Sequence, residues 1–265
     1  MALSRTAAAK DAKQIRIVRK ANQWHQIEMR QMMDSSGFSR KLLASDLQVV
    51  RSKGWLSRRA PAFQDAILDL ALARDFDAGA VLYRYGDPAE GLFFVVSGAV
   101  MITVPADDGQ ESVAHREQAG FWVGDLAALA EETRLVTLVA TAPTRTLFVP
   151  MDRVAALVEA TPRYYREFYA LSHENMQTAL RILANLAVAR ADHRLTLRLL
   201  HLDEQQGRRG AWIAISQEEL AAMVAVSVPT LQRALRRLSE AGLTEHGYGK
   251  IRVLDRAALI AFCQA

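Results

Sequence analysis

Cysteine is almost absent from this chain, since Cys263 is the only one among 265 residues. One cysteine cannot form an internal disulfide or supply a multi-cysteine zinc or iron–sulfur site. No apolar run approaches the 18 residues of a membrane-spanning helix, and no signal-peptide pattern follows Met1. We therefore expect a cytoplasmic protein with no membrane partner and no iron–sulfur cluster.

Catalytic motifs are missing as well. The sequence contains no G-x-S-x-G element and no P-loop. No two of its six histidines, at positions 25, 115, 173, 193, 201 and 246, stand at a close metal-ligand spacing. We therefore expect neither an enzyme nor a metal site.

Charge is distributed unevenly along the chain. Lys and Arg outnumber Asp and Glu by 11 to 4 in residues 1–53 and by 10 to 8 in residues 192–265. Residues 54–191 carry 12 basic against 17 acidic side chains. An acidic middle between basic ends is expected when the ends meet a polyanion.

Residues 216–238 have the pattern of two short helices joined by a tight turn. Ser216, with Glu219 three residues later, forms a capping box, and Ser227 caps a second helix that tolerates Pro229 in its first turn. One face of the second helix is apolar through Leu231, Ala234, Leu235 and Leu238. This pattern predicts a helix-turn-helix, whose second helix lies in the DNA major groove. The alternative is an ordinary helical hairpin with a solvated basic face.

Polar side chains are expected on the opposite face of that second helix. The candidate contacts to phosphates or bases are Thr230, Gln232, Arg233, Arg236 and Arg237. Residues 246–253 follow as a glycine-turned hairpin, which predicts a winged helix with Lys250 on a phosphate.

Upstream of this motif the chain divides into three further parts. Residues 1–53 are basic and partly helical, and they are either an arm that touches DNA, a membrane or a partner, or a loosely held extension. Residues 54–162 hold a helix at 62–74 and then short apolar runs separated by turns, which predict a small β-sandwich or barrel. The runs are 81–85, 92–96, 99–104, 112–116, 136–140 and 145–149.

Residues 163–191 read as one long helix with a coiled-coil seam. The positions of this seam recur at alternating steps of four and three, namely Tyr165, Tyr169, Ser172, Met176, Ala179, Leu183 and Leu186. A parallel homodimer would cover this seam. The alternative is a helix packed on its own barrel.

The order of barrel, long helix and winged helix resembles the Crp/Fnr family of bacterial transcription regulators. The motifs that carry the resemblance are residues 86–98, residues 124–129 and residues 216–238 with their wing. It implies an α+β fold with a barrel or jelly-roll sensor domain at 54–162, a dimerisation helix at 163–191 and a winged helix-turn-helix domain at 192–265. It also implies double-stranded promoter DNA, a second copy of the chain and RNA polymerase as partners.

The resemblance further implies an effector site for cyclic AMP or cyclic GMP. The residues that match the family's phosphate-binding cassette are Gly124, Asp125, Leu126, Ala127, Arg134 and Leu135. Asp125 stands where the family has glutamate, and bulky Leu135 replaces a small residue. The adenine-contacting positions fall near Ala179 and Leu180, which offer no side-chain hydrogen bond. The cassette is therefore either a nucleotide site or a scaffold in which Arg134 binds Asp125 or Glu132. Haem ligation by His115 or His173 also stays open.

For DNA, the resemblance carries Arg233 to a base-reading position and Ser216, Gln217, Ser227 and Thr230 to phosphate contacts. Val228 and Pro229 stand where other members present charged base readers, so the half-site should differ from that of cyclic AMP regulators. The sequence thus predicts a homodimeric, sequence-specific regulator. The alternative is a cyclic-nucleotide signalling module that does not bind DNA.

Overall fold

A computed structural model of the chain describes residues 42–106, 111–206 and 208–264. The predicted N-terminal extension therefore lies outside the described residues up to position 41. Its last part forms helix α1, Ala44–Ser52. Both carboxylate oxygens of the buried Asp46 accept hydrogen bonds from Arg145, at 2.8 and 2.9 Å, so this helix is tied to the β-structure that follows.

Eight strands form two four-stranded antiparallel sheets. They are β1 Leu72–Phe76, β2 Val81–Tyr83, β3 Gly91–Ser97, β4 Ala99–Pro105, β5 Glu111–Gln118, β6 Trp122–Val123, β7 Thr137–Ala140 and β8 Thr144–Pro150. The strand orders are β1-β8-β3-β6 and β2-β7-β4-β5. The predicted α+β class with a jelly-roll sensor is confirmed. The barrel is not closed, because the edge strands of the two sheets are not hydrogen-bonded to each other within the described residues.

The sequence of strand β3 is continuously apolar and does not alternate with polar residues. Phe93 and Val95 face the other sheet, whereas Leu92, Phe94 and Val96 pack under the helices, so both faces of the strand are buried. A strand that is covered on both faces reads as a continuous apolar run. The core therefore has two layers, with β3 between them.

The predicted helix at 62–74 is too long. Helix α2 spans Pro61–Leu70, and Leu72–Phe76 instead forms β1, which pairs with β8. Pairing between strands that lie some seventy residues apart decides this segment, and local propensity does not reveal it. Two further short helices follow, α3 Asp125–Leu129 and α4 Met151–Ala160.

The predicted long helix at 163–191 is also shorter in the structure. A 3-10 turn, Pro162–Tyr164, leads into α5, Tyr165–Leu186, and a separate helix α6, Ala191–Gln205, begins after a break. Arg194 donates hydrogen bonds to the carbonyl oxygens of Val188 and Ala189, at 2.8 and 3.1 Å. Because these carbonyls at the break are satisfied by a side chain, the chain can leave the helix there.

The C-terminal part contains the remaining elements. They are β9 Ile213–Ala214, α7 Gln217–Met223, α8 Val228–Glu240, β10 Thr244–Gly247, β11 Lys250–Val253 and α9 Arg256–Gln264. The strands form an antiparallel sheet in the order β10-β11-β9. Within the described ranges, no helix combines the length and the apolar character needed to cross a membrane.

Edge strand β5 joins the sandwich to this C-terminal part. The buried Arg198 of α6 donates to the Ala114 carbonyl at 3.1 Å, to His115 Nδ1 at 3.0 Å and to the Met223 carbonyl at 3.2 Å. Arg116 of β5 donates to the Ala214 carbonyl. The two parts are therefore linked by arginines that bind main-chain oxygens.

Candidate functional site

The helix-turn-helix begins at the cap that its sequence predicts. Ser216 Oγ accepts a hydrogen bond from the Glu219 backbone N–H at 3.0 Å, and the Glu219 carboxylate accepts one from the Ser216 N–H at 2.9 Å. This capping box fixes the start of α7. Between α7 and α8, Ala225 has a φ of +50°, a left-handed conformation that turns the chain sharply.

Helix α8 has one buried face and one exposed face. The predicted apolar residues Leu231, Ala234, Leu235 and Leu238 are all buried, and Ser227 Oγ accepts from the Thr230 N–H at 3.4 Å. Pro229, Gln232, Arg233, Arg236 and Arg237 are exposed, while Val228 and Thr230 are half-buried. The helix therefore presents three guanidinium groups to solvent on the side away from its core.

Side-chain contacts order part of this exposed face. Arg233 Nη2 donates to Thr230 Oγ1 at 3.0 Å, and Gln232 Nε2 donates to Gln217 Oε1 at 2.8 Å. The second contact links α8 to the start of α7. Five predicted DNA contacts, Gln217, Ser227, Thr230, Gln232 and Arg233, are thus brought together at one end of the motif.

In the wing, the lysine that is predicted to contact a phosphate lies against an aromatic ring. Lys250 is exposed, but its Nζ lies 4.6 Å from the centre of the Trp212 ring, and Arg252 lies over the same ring at 4.7 Å. Sequence reasoning missed Trp212 because the contact arises from pairing between β9 and β11. It also missed the fully exposed Tyr248 at the tip of the wing.

A cavity of about 370 Å³ lies between the sandwich and α5. All six residues of the predicted effector site line it, namely Gly124, Asp125, Leu126, Ala127, Arg134 and Leu135. From α5 it receives Asn175, Thr178, Ala179, Ile182, Leu183 and Leu186. Leu180, which the resemblance places near an adenine, is exposed and does not line the cavity.

Arg134 is the buried cation of this cavity. It is only 3% exposed, and it donates to the carbonyl oxygens of Gly91 at 2.8 Å and Gly124 at 3.2 Å. Its guanidinium also lies 4.3 Å from the centre of the Tyr83 ring. Burial lowers the pKa of Arg134 from its ordinary value, and Tyr83 and three nearby carboxyl groups oppose this shift. The hypothesised bond from Arg134 to Asp125 or Glu132 is replaced by these two carbonyl contacts.

Asp125 has a partner that sequence reasoning did not find. Asn175 Nδ2 donates to Asp125 Oδ1 at 2.6 Å and to the Trp122 carbonyl at 3.1 Å. Asp125 Oδ2 is buried and has no hydrogen-bond partner among the described residues. The contact from Asn175 connects α5 directly to the first residue of α3.

A second cluster of ligand-type side chains lies at the contact between β5 and α6. His115, Glu117 and His201 bring ligand atoms within 4.8 Å of one another. Arg198 donates to His115 Nδ1, so His115 Nε2 carries the proton that is shared with Glu117 Oε1 at 2.7 Å. A divalent ion would have to displace this proton beside a buried guanidinium, which disfavours a metal there. Since both nitrogens of His115 are engaged, it offers no open position for haem iron either, and His173 is an exposed residue of α5.

Comparison with known proteins agrees with this architecture. Residues 73–161 match the model of the cyclic nucleotide-binding domain, and residues 193–262 match that of the Crp-like helix-turn-helix domain. The transcriptional activator protein anr of Pseudomonas aeruginosa is 26% identical over 193 residues, which are 71% of this chain and 79% of that protein. The cyclic AMP receptor protein of Thermus thermophilus is 29% identical over 205 residues, which are 77% and 94% of the two chains.

The fold is shared with solved structures. The structure of FixK2 from Bradyrhizobium japonicum superposes with a TM-score of 0.65 at 20% identity, and it covers 72% of this chain and 96% of that one.

Proposed function

The chain belongs to the Crp/Fnr family of DNA-binding transcription regulators, and from this premise we propose that it acts as a homodimer on a promoter operator, under the control of a small effector. The Crp-like helix-turn-helix and the relatives favour DNA binding over a signalling module without DNA. The proposed division is a sensor domain at 54–162, a dimerisation helix within 163–191 and a DNA-binding domain at 192–265. We propose a cytoplasmic protein that recruits or blocks RNA polymerase and catalyses no reaction.

The observation that carries the proposal is the two-sided character of α8. Its buried face fixes the rotation of the helix on the domain, so its exposed face presents Arg233 and Arg236 in a defined direction. A recognition helix needs this combination, because base reading requires side chains at fixed positions in the major groove. In our proposal Arg233 reads a guanine, and phosphates are bound by Ser216, Gln217, Ser227, Thr230 and Lys250. Val228 and Pro229 would touch apolar base edges such as a thymine methyl.

Dimerisation is supported by the exposed side of α5. Large apolar side chains that are 41% to 73% exposed follow one another along this helix, namely Tyr165, Tyr169, Met176, Leu180, Leu183 and Leu186. A contiguous apolar surface of this kind marks an interaction site. Two such helices in parallel would place two α8 helices on successive major grooves, about 34 Å apart.

Sedimentation of Leu183→Glu tests the dimer, since a carboxylate in the seam should leave a monomer at micromolar concentration. The control is Leu254→Glu, which places the same charge at an exposed leucine outside α5. A dimer that survives in Leu183→Glu would contradict the proposed interface.

DNA binding is tested by electrophoretic shift and selection from random duplexes. The chain should select a two-fold symmetric site, and Arg233→Ala should lose the preference at one position in each half-site. Arg84→Ala removes the same charge from an exposed turn of the sensor domain and serves as the control. Equal binding to all duplexes by the unchanged protein would contradict a sequence-specific regulator.

Cyclic AMP and cyclic GMP are the effectors that the cassette suggests, and one relative is a cyclic AMP receptor protein. Calorimetric titration of the dimer with each nucleotide, beside Arg134→Ala, tests this effector class. Micromolar binding that disappears in the variant would support it. If neither nucleotide gives a heat of binding, the cavity is not a cyclic-nucleotide site and its effector belongs to another chemical class.

A further inference from the structure

The cavity beneath α5 has the size of a small-molecule site. Its volume of about 370 Å³ lies within the range of roughly 300–1,000 Å³ that is typical of ligand pockets. An apolar cavity of about 150 Å³ can stay free of water and still bind a hydrocarbon such as benzene. The chemistry of the lining therefore decides which ligand enters.

Most of the lining is hydrocarbon. The apolar side chains that surround the cavity are Ile102, Val104, Phe121, Val123, Leu126, Leu135, Val136, Ile182, Leu183 and Leu186. Leu135, which stands where the family has a small residue, is 58% exposed, and Leu126 beside it is also exposed. These side chains would lose their contact with water when an apolar ligand binds, and removal of apolar surface from water is favourable.

Most polar side chains of the lining already have hydrogen-bond partners. Arg134 donates to the Gly91 and Gly124 carbonyls, and Asn175 donates to Asp125 and to the Trp122 carbonyl. Thr178 Oγ1 donates to the Glu174 carbonyl one turn earlier in α5, at 3.3 Å. His115 is bound by Arg198 and Glu117. A ligand phosphate would therefore meet a guanidinium that is only 3% exposed and is already held by two carbonyl oxygens, and a ribose would meet an Asp125 carboxylate that already accepts from Asn175.

Two atoms in this region lack a partner within the described residues, Arg134 Nε and Asp125 Oδ2. Both are covered by neighbouring atoms and have essentially no accessible surface. They are therefore not presented to a molecule in the cavity unless the lining first moves.

The electrostatics also disfavour an anion. Three carboxyl groups, Asp87, Glu90 and Asp125, lie close enough to Arg134 to oppose the effect of burial on it. Their negative charges partly offset the positive charge of the guanidinium, which weakens its attraction for a cyclic phosphate.

From this lining we propose that the cavity binds an uncharged, apolar small molecule and discriminates against anions, cyclic nucleotides included. The inference rests on the proposed function in one respect, since it takes this cavity as the effector site. It differs from the nucleotide hypothesis because the cassette then serves as a scaffold, in which Arg134 holds the start of β3 and the start of α3 together.

A matched pair of probes tests the inference on the full-length protein without DNA. 1-Octanol and octanoate have the same chain length and differ by one negative charge. Calorimetric titration should show saturable binding of 1-octanol, at least tenfold weaker binding of octanoate, and no heat with cyclic AMP or cyclic GMP. Failure of 1-octanol to bind, octanoate binding as tight as 1-octanol, or micromolar cyclic AMP binding would each overturn the proposal.

Variants then locate the probe. Val104→Phe fills the cavity from β4 and should weaken 1-octanol binding at least tenfold, whereas Leu254→Ser removes an exposed apolar side chain elsewhere and should not. Thermal unfolding checks that Val104→Phe is folded, and Ile102→Phe is a second variant on the same strand. Undiminished binding by both folded variants would place the probe outside the cavity and refute the proposal.

The test separates the ligand class from the proposed regulatory role. Binding of 1-octanol is measured without DNA, so loss of DNA binding cannot imitate its failure. If 1-octanol binds in the cavity and leaves the affinity for the selected operator unchanged, the ligand class stands and control by this cavity fails.

Discussion

Two arginines that the same family resemblance singles out behave in opposite ways. Arg233 of α8 is exposed, and its guanidinium touches only the neighbouring Thr230 among the contacts of the described residues. Arg134 is buried and binds two main-chain carbonyls and an aromatic ring. The first can therefore form new contacts with DNA at little cost, whereas the second is only 3% exposed and can meet a phosphate only if the side chains around it move. A residue that matches a binding motif can bind a ligand directly only where the fold leaves it accessible.

The largest expected effect comes from removing the buried face of α8. Leu235→Ala should lower the free energy of unfolding of the C-terminal domain by about 2–5 kcal/mol, because it leaves a cavity at a fully packed position. Urea denaturation followed by circular dichroism measures the change. Gln232→Ala, on the exposed face of the same helix, should stay within about 0.5 kcal/mol of the unchanged protein. Equal losses in both variants would show that α8 is not packed as described.

The next largest effect is the difference in the free energy of unfolding between variants of the two arginines. Arg134→Ala should lower the free energy of unfolding by about 1–3 kcal/mol, since it leaves the buried carbonyls of Gly91 and Gly124 without their donor. Arg233→Ala should change it by no more than about 0.5 kcal/mol, because Arg233 is exposed. Chemical denaturation of both variants in parallel measures the difference. If Arg134→Ala is as stable as Arg233→Ala, its carbonyl contacts do not hold the cavity wall.

In DNA binding the order of the two arginines should be reversed, with the larger loss of affinity in Arg233→Ala. Arg233→Ala is expected to cost about 1–3 kcal/mol of specific binding and to relax the preference at one base pair. Arg236→Ala should weaken binding to a similar degree only if Arg236 also reads a base, and otherwise it should lower the affinity for all sequences alike. Competition against single-base operator variants distinguishes the two results. A uniform loss in Arg233→Ala would reassign Arg233 to the phosphates.

The smallest effect concerns the contact between the two parts of the molecule. Burial, helped by His115, Arg198 and Arg181, lowers the pKa of His201 from its ordinary value of 6.5 to about 3. The folded state thus binds this proton less well than the unfolded state. The free energy of unfolding therefore decreases as the pH is lowered below 6.5, and it decreases further until the pH reaches about 3. Between pH 6.5 and pH 5.5 the loss should be about 1 kcal/mol.

Denaturation of the protein at several pH values measures this loss. His201→Gln should flatten the curve over this interval, because glutamine cannot take up the proton. Glu117 and His115 face the same cluster and are present in both proteins. An identical pH dependence in His201→Gln would show that His201 is not the group responsible.

Sequence patterns located the helix-turn-helix well and the sandwich less completely. The caps at Ser216 and Ser227 and the buried face of α8 follow from spacing within a few residues, which a linear pattern contains. Strands β1 and β6 were missed, since Leu72–Phe76 and Trp122–Val123 are strands only by virtue of distant partners in β8 and β3. The break after Leu186 was missed for a similar reason, because Arg194 supplies hydrogen bonds from the next helix.

The sequence by itself determined the order of sheets, long helix and winged helix, the caps of the recognition motif and the residues on its exposed face. These features depend on local periodicity and on side chains that act within one or two turns of a helix. Only the tertiary structure decided what surrounds Arg134, because Gly91 and Tyr83 are distant from it in sequence and even Gly124, ten residues away, meets it through the folding of α3. Whether a buried group is free to bind a ligand depends on contacts between segments, and those contacts form only when the chain has folded.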